Sequence, residues 1–387
     1  MVDTFDVAIV GGGPAGCACA LSASRAGLTV ALFEAQLALS DKPCGEGLMP
    51  PGVDALRELG LDDVVLAGRP FDRLRYLVPG AEPLELALPR PGLAIDRPRL
   101  TLGLETALRR AHGVTRFAAR AEVEQLREGS ATAGFRITAP AIDVRARVLV
   151  AADGLNGKSA AWLRAGNPAT ARRGERDPAA RLGIRARYEA RRPLDAVEIH
   201  FSRGIEVYLT PLPMGRINLV VLVSDLGSNP GGCEAILARA LAVHPRAASR
   251  LAKRVTEPEA RVLGYQAPAC VAQQRTLLVG DAGGGIDPIL GCGVTLALES
   301  GILAARAARE IVAGDDSGEP EARYLRQYRS RTHKRRVLAA FLLGLAKRPL
   351  LARGTVGVLR FTPGILGSLV SVAAGGSNTT PIRRAAG

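Results

Sequence analysis

Four residues near the amino terminus have the types and the spacing that bind the phosphates and ribose of a dinucleotide. Gly11, Gly13 and Gly16 occupy the three glycine places of a G-x-G-x-x-G motif. There the first glycine permits a tight turn, the second lets the backbone approach a pyrophosphate, and the third lets a helix pack on the strand. Glu34 stands 18 residues after Gly16, where a carboxylate can bind ribose hydroxyls. This acid favours the adenosine of FAD or NAD over that of NADP.

The elements around these residues are the ones that a dinucleotide-binding unit requires. Residues 5–10 are mostly apolar and predict a short strand buried on both faces. Residues 15–26 are rich in small side chains and predict a helix with Gly27 as its C-cap. Residues 28–33 predict a second strand that ends at Glu34. Three neighbours of the glycines and the acid complete the predicted cofactor contacts, namely Pro14, Ala15 and Ala35.

A second candidate cofactor segment lies far along the chain. Residues 275–280 predict a strand that ends at Asp281, and a glycine-rich loop and a helix over residues 295–308 follow. The Asp281 carboxylate can accept hydrogen bonds from ribitol hydroxyls. The free N–H groups near Cys292 and Gly293 can stabilise negative charge on a reduced flavin ring.

With this segment the sequence resembles a large family of FAD-dependent flavoproteins, which contains the aromatic-ring hydroxylases, such as para-hydroxybenzoate hydroxylase, and the geranylgeranyl reductases. The family pattern is G-D-A, a short loop, D-P, then G-x-G and a helix. The chain matches this pattern in order at Gly280, Asp281, Ala282, Asp287, Pro288, Gly291 and Gly293. The resemblance covers roughly residues 5–310. It implies that Asp281 binds the ribityl chain and that Gly291 to Gly293 face the isoalloxazine ring.

The resemblance also implies the fold and its division. We expect an α/β fold: a Rossmann-like FAD-binding domain of the GR2 type, an inserted antiparallel β-sheet domain for substrate, and a helical C-terminal tail. The predicted FAD-binding domain is discontinuous, over residues 1–70, 96–175 and 262–320. The predicted substrate domain covers residues 71–95 and 176–261, and a basic, apolar helical region covers residues 321–387.

Two further segments carry the same resemblance. A predicted strand over residues 148–152 ends at Asp153 and Gly154, where the family has D-G-x-x-S. Gly157 takes the place of the serine, and the sequence has no second G-x-G-x-x-G unit, so no separate pyridine-nucleotide domain is indicated. Arg97, at the start of a predicted helix, resembles the family arginine that supports the flavin. The alternative for Arg97 is an ordinary helix start with a solvated side chain.

The loop after the second strand is the candidate catalytic segment. Residues 41–47 resemble the cofactor-facing loop of the geranylgeranyl reductase branch, which often contains Pro-Cys-Gly. This implies that Cys44 lies close to the flavin, and Glu46 is a candidate for orienting the substrate. The alternatives are a plain buried thiol and a solvent-facing acid. For Cys292 the plain buried thiol is favoured, and a Cys44–Cys292 disulfide is left open.

Alternating apolar stretches predict a second sheet. Residues 197–201, 205–210 and 219–223 predict antiparallel strands, which in the family form the roof of the substrate pocket. His200 and Tyr208 lie on these strands. An alternating strand directs every second side chain into the pocket, and a lone histidine there is more often structural than catalytic.

The resemblance implies a FAD-dependent oxidoreductase that acts on an apolar small molecule. The sequence interpretation that we favour is a monooxygenase of secondary metabolism, which hydroxylates an aromatic or polyketide-type substrate through a flavin C4a-hydroperoxide and uses NAD(P)H or another reductant. The alternative, favoured by the Pro-Cys-Gly loop, is reduction of isoprenoid C=C bonds. A non-catalytic lipid carrier is a remote third. Halogenation is disfavoured, because that branch carries W-x-W-x-I-P and the only tryptophan here is Trp162.

The net charge of +14 comes from one end of the chain. Residues 322–387 contain thirteen Lys or Arg and no Asp or Glu, whereas the first 321 residues hold 38 basic and 37 acidic residues. This distribution argues against a nucleic-acid groove. Basic residues between apolar stretches, broken by Pro349 and Pro363, suit peripheral contact with an anionic membrane surface. The alternative is a helical cap with a charged outer face.

The cysteines and the hydropathy set the remaining expectations. The six cysteines form neither paired CxxC motifs nor a disulfide framework, so we expect no metal site and a reducing compartment. The sequence has no run of about 18 uncharged apolar residues, which predicts no membrane span. We therefore expect a cytoplasmic protein that is able to contact the inner face of the membrane.

Overall fold

The structure is a computed structural model that describes residues 2–36, 41–129, 131–155, 157, 181–202, 204–224, 231–263 and 270–346, together with residues 348, 351, 353–355, 357, 362, 368, 371 and 372. The strands are β1 (Asp3–Val10), β2 (Val30–Phe33), β3 (Gly47–Leu48), β4 (Arg69–Leu77), β5 (Leu84–Ala94), β6 (Val114–Phe117), β7 (Glu122–Glu128), β8 (Ala131–Ala139), β9 (Ile142–Ala151), β10 (Arg181–Ala190), β11 (Val197–Ser202), β12 (Ile205–Leu212), β13 (Arg216–Val223), β14 (Leu251–Arg254), β15 (Glu259–Leu263), β16 (Ala272–Gln273) and β17 (Thr276–Leu278). The helices are α1 (Pro14–Arg25), α2 (Pro50–Glu58), α3 (Asp62–Ala67), α4 (Arg97–Arg110), α5 (Cys233–Val243), α6 (Pro245–Ala248), α7 (Gly293–Val312) and α8 (Glu319–Ala346).

The first sheet holds the dinucleotide-binding unit. Its order is β16-β17-β9-β1-β2-β6, and the strands from β17 to β6 are parallel. β1 is buried on both faces, as the sequence predicts, because Val7 and Ile9 belong to the main core and Ala8 packs with Phe135 in a cluster on the other side. The carboxyl ends of β1, β2 and β9 therefore meet at one edge of the sheet.

The second sheet has nine strands in the order β14-β10-β13-β12-β11-β4-β5-β3, with β15 paired to β10. The predicted antiparallel strands are confirmed as β11, β12 and β13. Along β12, Val207 and Leu209 enter a core cluster that includes residues of α5, whereas Tyr208 and Thr210 line the opposite face. This alternation leaves one face of the sheet turned toward the first domain.

Close helix packing explains two of the glycines. A Cβ atom on Gly16 would lie 1.9 Å from the Gly11 carbonyl oxygen. A Cβ atom on Gly301 would lie 2.3 Å from the Ala15 carbonyl oxygen. Only glycine allows these approaches, so α1 and α7 cross at nearly backbone contact and fix the glycine loop in place.

The basic region begins as one long helix. The hydroxyl of Tyr324 on α8 donates to the Leu278 carbonyl at 2.6 Å, and that of Tyr328 donates to the Gly283 carbonyl at 2.9 Å. This half of the helix is a cap packed on the body, one of the two arrangements that the sequence left open. The predicted breaks at Pro349 and Pro363 lie outside the described residues. No helix in the described part of the chain is both long enough and apolar enough to cross a bilayer.

The α/β fold class is confirmed, with two sheets and a helical C-terminal region. The predicted strand at residues 275–280 is shorter, as β17, and the predicted helix at residues 295–308 is longer, as α7. The domain boundaries stay a prediction.

Candidate flavin-binding site

A cavity of about 950 Å³ extends from the glycine motif to the inner face of the second sheet. Its first part lies at the ends of β1, β2 and β9. Its middle part lies between residues 42–45 and the turn before α7, and its far part is a mostly apolar roof. The predicted cofactor residues on its wall are Gly11, Gly13, Pro14, Ala15, Glu34, Ala35, Arg97, Asp153, Gly154, Asp281, Pro288, Gly291 and Gly293.

The glycine motif forms one end of the cavity. Gly11 has φ +110°, and a Cβ atom there would lie 2.3 Å from the Ala152 carbonyl oxygen. At Gly13 a Cβ atom would meet no heavy atom within 4 Å, because that position faces the cavity. Gly13 is the N-cap of α1, with Pro14 in the first turn. The free N–H groups and the positive end of the helix dipole suit an anion such as a pyrophosphate.

Glu34 is held beside this loop. Its Oε2 accepts a hydrogen bond from the Gly12 backbone N–H at 2.7 Å, and its Oε1 accepts one from the Gln36 N–H at 2.8 Å. Each carboxylate oxygen keeps further acceptor capacity. The side chain is therefore fixed and still able to accept hydrogen bonds from a ribose.

Two aspartates lie deeper in the cavity. Burial raises the pKa of Asp281, and the positive charges of Arg261, Arg97 and Lys42 act in the opposite direction. Asp153 lines the wall next to Gly157, where a Cβ atom would lie 2.0 Å from the Asp153 Cγ atom. Glycine in the family's serine place thus leaves room for the Asp153 carboxyl group.

The turn before α7 presents backbone to the cavity. Asp287 Oδ1 accepts a hydrogen bond from the Ile289 N–H at 2.9 Å and so caps the short 3₁₀ turn Pro288–Leu290. Gly291 has φ +61°, and a Cβ atom there or on Gly293 would meet no heavy atom within 4 Å. The two glycines expose peptide groups that a planar ring can approach closely.

The Cys292 side chain is the plain buried thiol that the sequence favours, and the predicted contact of its backbone with a cofactor stays a prediction. Its side chain is fully buried in the main core and does not line the cavity, although both neighbouring glycines do. Burial raises the pKa of its thiol to about 11. The chain turns into α7 at this residue, so the side chain points away from the wall that the backbone forms. Cys44 and Cys292 are both free, and the disulfide left open by the sequence is not formed.

Cys44 lines the cavity, as the sequence predicts. Burial raises the pKa of its thiol, and the nearby Arg97 guanidinium opposes that effect. The second sheet holds the loop in place, because the Thr210 hydroxyl donates to the Gly45 carbonyl at 2.7 Å and the Asn218 amide donates to the Cys44 carbonyl at 2.9 Å. The thiol is therefore a protonated group at a fixed point of the wall.

Both sequence interpretations of Glu46, as a substrate-orienting residue and as a solvent-facing acid, are wrong, because its side chain neither lines the cavity nor faces solvent. It is 3% exposed and has a φ of +56°. Its Oε1 accepts the Arg97 backbone N–H at 3.0 Å, and both oxygens accept from the Arg187 Nε at 3.1 Å. Arg187 also binds the Asp41 carboxylate, at 2.8 and 2.9 Å. Glu46 thus anchors the loop that carries Cys44.

The side chain of Arg97 belongs to the cavity and is not a solvated helix start. It begins α4, whose N-cap Asp96 accepts the Arg99 N–H at 2.9 Å. The Arg97 Nε is buried without a hydrogen-bond partner among the described residues. A buried donor of this kind calls for an acceptor that the protein does not provide.

The roof of the cavity comes from alternate residues of the second sheet. Its apolar part is lined by Phe71, Leu74, Tyr76, Val197, Ile199, Val220, Leu222 and Leu263. His200 lies on the opposite face of β11, 2% exposed, with its Nε2 3.4 Å from the Glu198 carboxylate. His200 is therefore a buried structural residue and does not line the cavity.

A buried chain of polar groups connects the roof to the turn before α7, and the sequence interpretation missed it. The Tyr208 hydroxyl donates to Glu206 Oε2 at 2.6 Å, and Glu206 also pairs with Arg181. The other side of the Arg181 guanidinium donates to Asp287 Oδ1 at 2.8 Å. Burial and the Glu206 charge raise the pKa of Tyr208 well above its usual value. The alternation of charged residues on β10, at Arg181, Arg185 and Arg187, is the sequence signal that could have indicated this cluster.

The residues present fit a flavin dinucleotide. At Gly13, Gly45, Gly154, Gly291 and Gly293 of the cavity wall a Cβ atom would meet open space. The unpartnered Arg97 Nε supplies a donor for an anionic or carbonyl oxygen. The described residues contain no group of three or more His, Cys, Asp or Glu that could hold a metal ion.

The family model for an FAD binding domain matches residues 4–185. Residues 4–185 are an FAD binding domain. The match covers the glycine motif, Glu34, the Cys44 loop, Arg97 and Asp153. It decides between FAD and NAD, which the glycine motif alone does not.

Similar proteins extend this assignment beyond the FAD binding domain. The chain is 27% identical over 340 residues to digeranylgeranylglycerophospholipid reductase 2 of Methanopyrus kandleri, covering 84% of this chain and 82% of the relative. A flavin-dependent brominase superposes with a TM-score of 0.79 at 20% identity, covering 96% of this chain and 94% of the brominase. A geranylgeranyl bacteriochlorophyll reductase-like protein of Thermoplasma acidophilum superposes with a TM-score of 0.76 at 21% identity, covering 93% and 92%.

These matches confirm the resemblance to the FAD-dependent hydroxylases and geranylgeranyl reductases. At 20% and 21% identity the two structures show the shared fold alone. Together with the FAD binding domain, the comparisons make the chain a FAD-dependent oxidoreductase.

Proposed function

We propose that the protein is a FAD-dependent reductase that adds hydrogen across C=C bonds of an apolar, isoprenoid-type molecule. The observation that carries the proposal is the cavity, which continues from the FAD-binding glycine loop past Cys44 to a mostly apolar roof. A relative matched over 82% of its length is a reductase of a geranylgeranyl lipid. An apolar roof suits a prenyl chain, because burying apolar surface is its main source of binding free energy.

The protein's part in this reaction is binding, orientation and exclusion of water, since a bound flavin supplies the redox chemistry. The N-terminus of α1 and Gly13 would hold the pyrophosphate, Glu34 the ribose and Asp281 the ribityl chain. The peptide groups of Gly291 and Gly293 would face the ring. The roof would hold the substrate against that ring and keep water out of the reacting pair.

Reduction of a C=C bond also needs a proton at the second carbon. Cys44 Sγ is a candidate holder of that proton, because it lines the cavity and its raised pKa keeps the thiol protonated at neutral pH. Two hydroxyl groups of the roof have their hydrogens engaged, Tyr208 on Glu206 and Thr210 on the Gly45 carbonyl. The Tyr76 hydroxyl also belongs to the cavity lining, and burial raises its pKa to about 12, so it is a second candidate holder of the proton.

Hydroxylation, the function that we favour from sequence alone, is the second candidate. The same dry and apolar roof would suit an aromatic ring. A relative that matches 84% of the chain is a reductase, which supports the first candidate better.

One experiment distinguishes the two. FAD-loaded protein is reduced with dithionite or with a reduced nicotinamide, and a polyprenyl lipid or an alkylphenol is added with and without oxygen. A lipid that gains two hydrogens without oxygen supports the reductase, and a phenol that gains one oxygen atom supports the hydroxylase. If neither changes, both candidates are wrong. Because reduction by a nicotinamide is itself a proposal, dithionite tests the chemistry independently of the donor.

A further inference from the structure

Helix α8 presents a fixed outer face. Its buried positions recur every three or four residues, at Tyr324, Tyr328, Thr332, Arg335 and Ala339. The Tyr324 hydroxyl bonds to β17, the Tyr328 hydroxyl bonds to the glycine-rich loop after β17, and the Arg335 guanidinium donates to Glu299 of α7 at 2.8 Å. This anchoring defines which side of the helix is turned outward.

The outer face changes character along the helix. Near its start the basic side chains have acidic partners, with Arg323 bonded to Glu310 at 2.8 Å and Arg326 paired with Glu319. Further along, Val337 is 58% exposed and Phe341 is 48% exposed. These two residues are four apart and lie on the same side of the helix. The outer face is therefore polar and neutralised at its start, and apolar toward its end.

Exposed apolar side chains concentrate here. Of the nine large hydrophobic residues that are exposed in the described part of the chain, three are Val337, Phe341 and Leu351. The exposed residues Lys334 and Arg348 flank the first two along the chain. Arg335 is paired with Glu299, whereas Lys334 and Arg348 have no ion pair among the described residues. This end of the helix therefore combines apolar side chains with unpaired positive charge.

The helix that carries this surface packs on the wall of the cavity. Helix α8 packs against the turn Pro288–Leu290, which belongs to the cavity wall. Farther along, the Arg353 guanidinium lies close to Gly80, in the turn between β4 and β5. β4 itself lines the roof.

We propose that the outer face of α8 at Lys334, Val337 and Phe341, together with Arg348 just past the end of the helix, is a docking surface for an anionic lipid bilayer, here termed the α8 stripe. Apolar side chains between basic ones insert at the boundary of headgroups and acyl chains, and anionic lipids attract the basic residues. The inference does not depend on which reaction the flavin performs. It would explain how an apolar molecule dissolved in a bilayer reaches the cavity.

The test is sedimentation of the FAD-loaded protein with vesicles of phosphatidylcholine, with or without phosphatidylglycerol, at low salt. We expect binding only to the anionic vesicles. The double variant V337S/F341S should lower the partition coefficient on the order of tenfold or more, because two apolar side chains lose their burial in lipid. K334Q should lower it about fivefold, the effect of one basic residue near the surface. The matched control is L66S/L102S, which removes two apolar side chains that are 82% and 53% exposed on α3 and α4.

Several outcomes would overturn the proposal. The wild-type protein would stay in solution with both vesicle types, or it would bind neutral and anionic vesicles equally. Alternatively, the variant V337S/F341S would bind like wild type, or the control L66S/L102S would bind as weakly as V337S/F341S. Sedimentation equilibrium distinguishes a lipid surface from a second copy of the chain as the occupant of the stripe. If the wild type self-associates, V337S/F341S abolishes the self-association and neither vesicle type binds, the stripe is an interface between copies. Flavin absorbance checks that each variant is folded and loaded.

Discussion

The Arg187 guanidinium and the Glu46 carboxylate form a buried ion pair directly behind the loop that carries Cys44. Removal of one partner from a buried pair costs about 3–5 kcal/mol when the remaining charge is left uncompensated, but Arg187 keeps the Asp41 carboxylate as a second partner. We therefore expect Glu46→Ala to lower the free energy of unfolding by less than this full cost, yet by more than an exposed pair contributes, and Glu46→Gln, which keeps hydrogen-bonding capacity, to lower it least. Urea unfolding of the FAD-loaded protein measures both.

The control for this pair is Glu85→Ala. Glu85 also binds an arginine, Arg75, but its side chain is 43% exposed, and exposed pairs contribute only about 0–1 kcal/mol. Equal losses for Glu46→Ala and Glu85→Ala would contradict the anchoring role of Glu46.

The glycine loop gives a prediction with a close internal control. Gly13 and Gly232 are both N-caps with nearly the same backbone angles, φ −70° and −74°, and at both a Cβ atom meets no heavy atom within 4 Å. Only Gly13 faces the cavity. We expect Gly13→Ala to weaken FAD binding about tenfold or more, because overpacking costs about 1–3 kcal/mol. Gly232→Ala should leave FAD binding unchanged, and fluorescence titration of the apoprotein with FAD checks both.

Features of the site that are formed by residues close together in the sequence could be predicted, and features that join distant residues could not. The glycine loop, Glu34 and the turn at Asp281 are local, because strand, turn and helix signals lie within about thirty residues. The predicted role of Glu46 was wrong, because Arg187, with which it forms its ion pair, lies 141 residues away in the sequence. Local patterns carry no information on such pairs.

Cys292 shows what a local motif leaves open. It lies between two glycines that do face the cavity, and the contact of this loop with a cofactor stays a prediction. The direction of its side chain depends on how the chain enters α7, and the sequence motif does not specify that geometry. The structure contains the plain buried thiol that the sequence favoured for Cys292.

Cys44 should react slowly with alkylating agents at neutral pH. Its thiol has a pKa raised by burial, so the reactive thiolate is a smaller fraction of the total at pH 7 than in a free cysteine. We expect iodoacetamide labelling to accelerate as the pH rises into the alkaline range, and bound FAD to protect this site. Mass spectrometry of peptides measures the rate, with the half-buried Cys233 for comparison. Fast labelling of Cys44 at pH 7 would show that the thiol is activated.

In the proposed reductase, Cys44→Ala should leave the flavin spectrum unchanged and slow the reduction of substrate. Cys44→Ser, which keeps a hydrogen at nearly the same place, should restore part of the rate. The two rates are compared under dithionite reduction, and a rate in Cys44→Ala equal to wild type would rule out Cys44 as the holder of the proton.

His244 should make folding stability depend on pH. Burial, with a smaller contribution from His200 at a ring distance of 5.9 Å, lowers the pKa of His244 to about 4. The unfolded chain takes up this proton near pH 6.5 and the folded protein only near pH 4, so stability present above pH 6.5 is lost as the pH falls toward 4. The loss should reach about 3 kcal/mol at most, since each pKa unit corresponds to about 1.4 kcal/mol. His244→Asn should flatten this part of the profile, whereas His333→Asn, at an exposed position of α8, should follow wild type. The measurement is urea unfolding at pH 7.5, 6.0 and 5.0, and identical slopes for wild type and His244→Asn would assign the pH dependence to other groups.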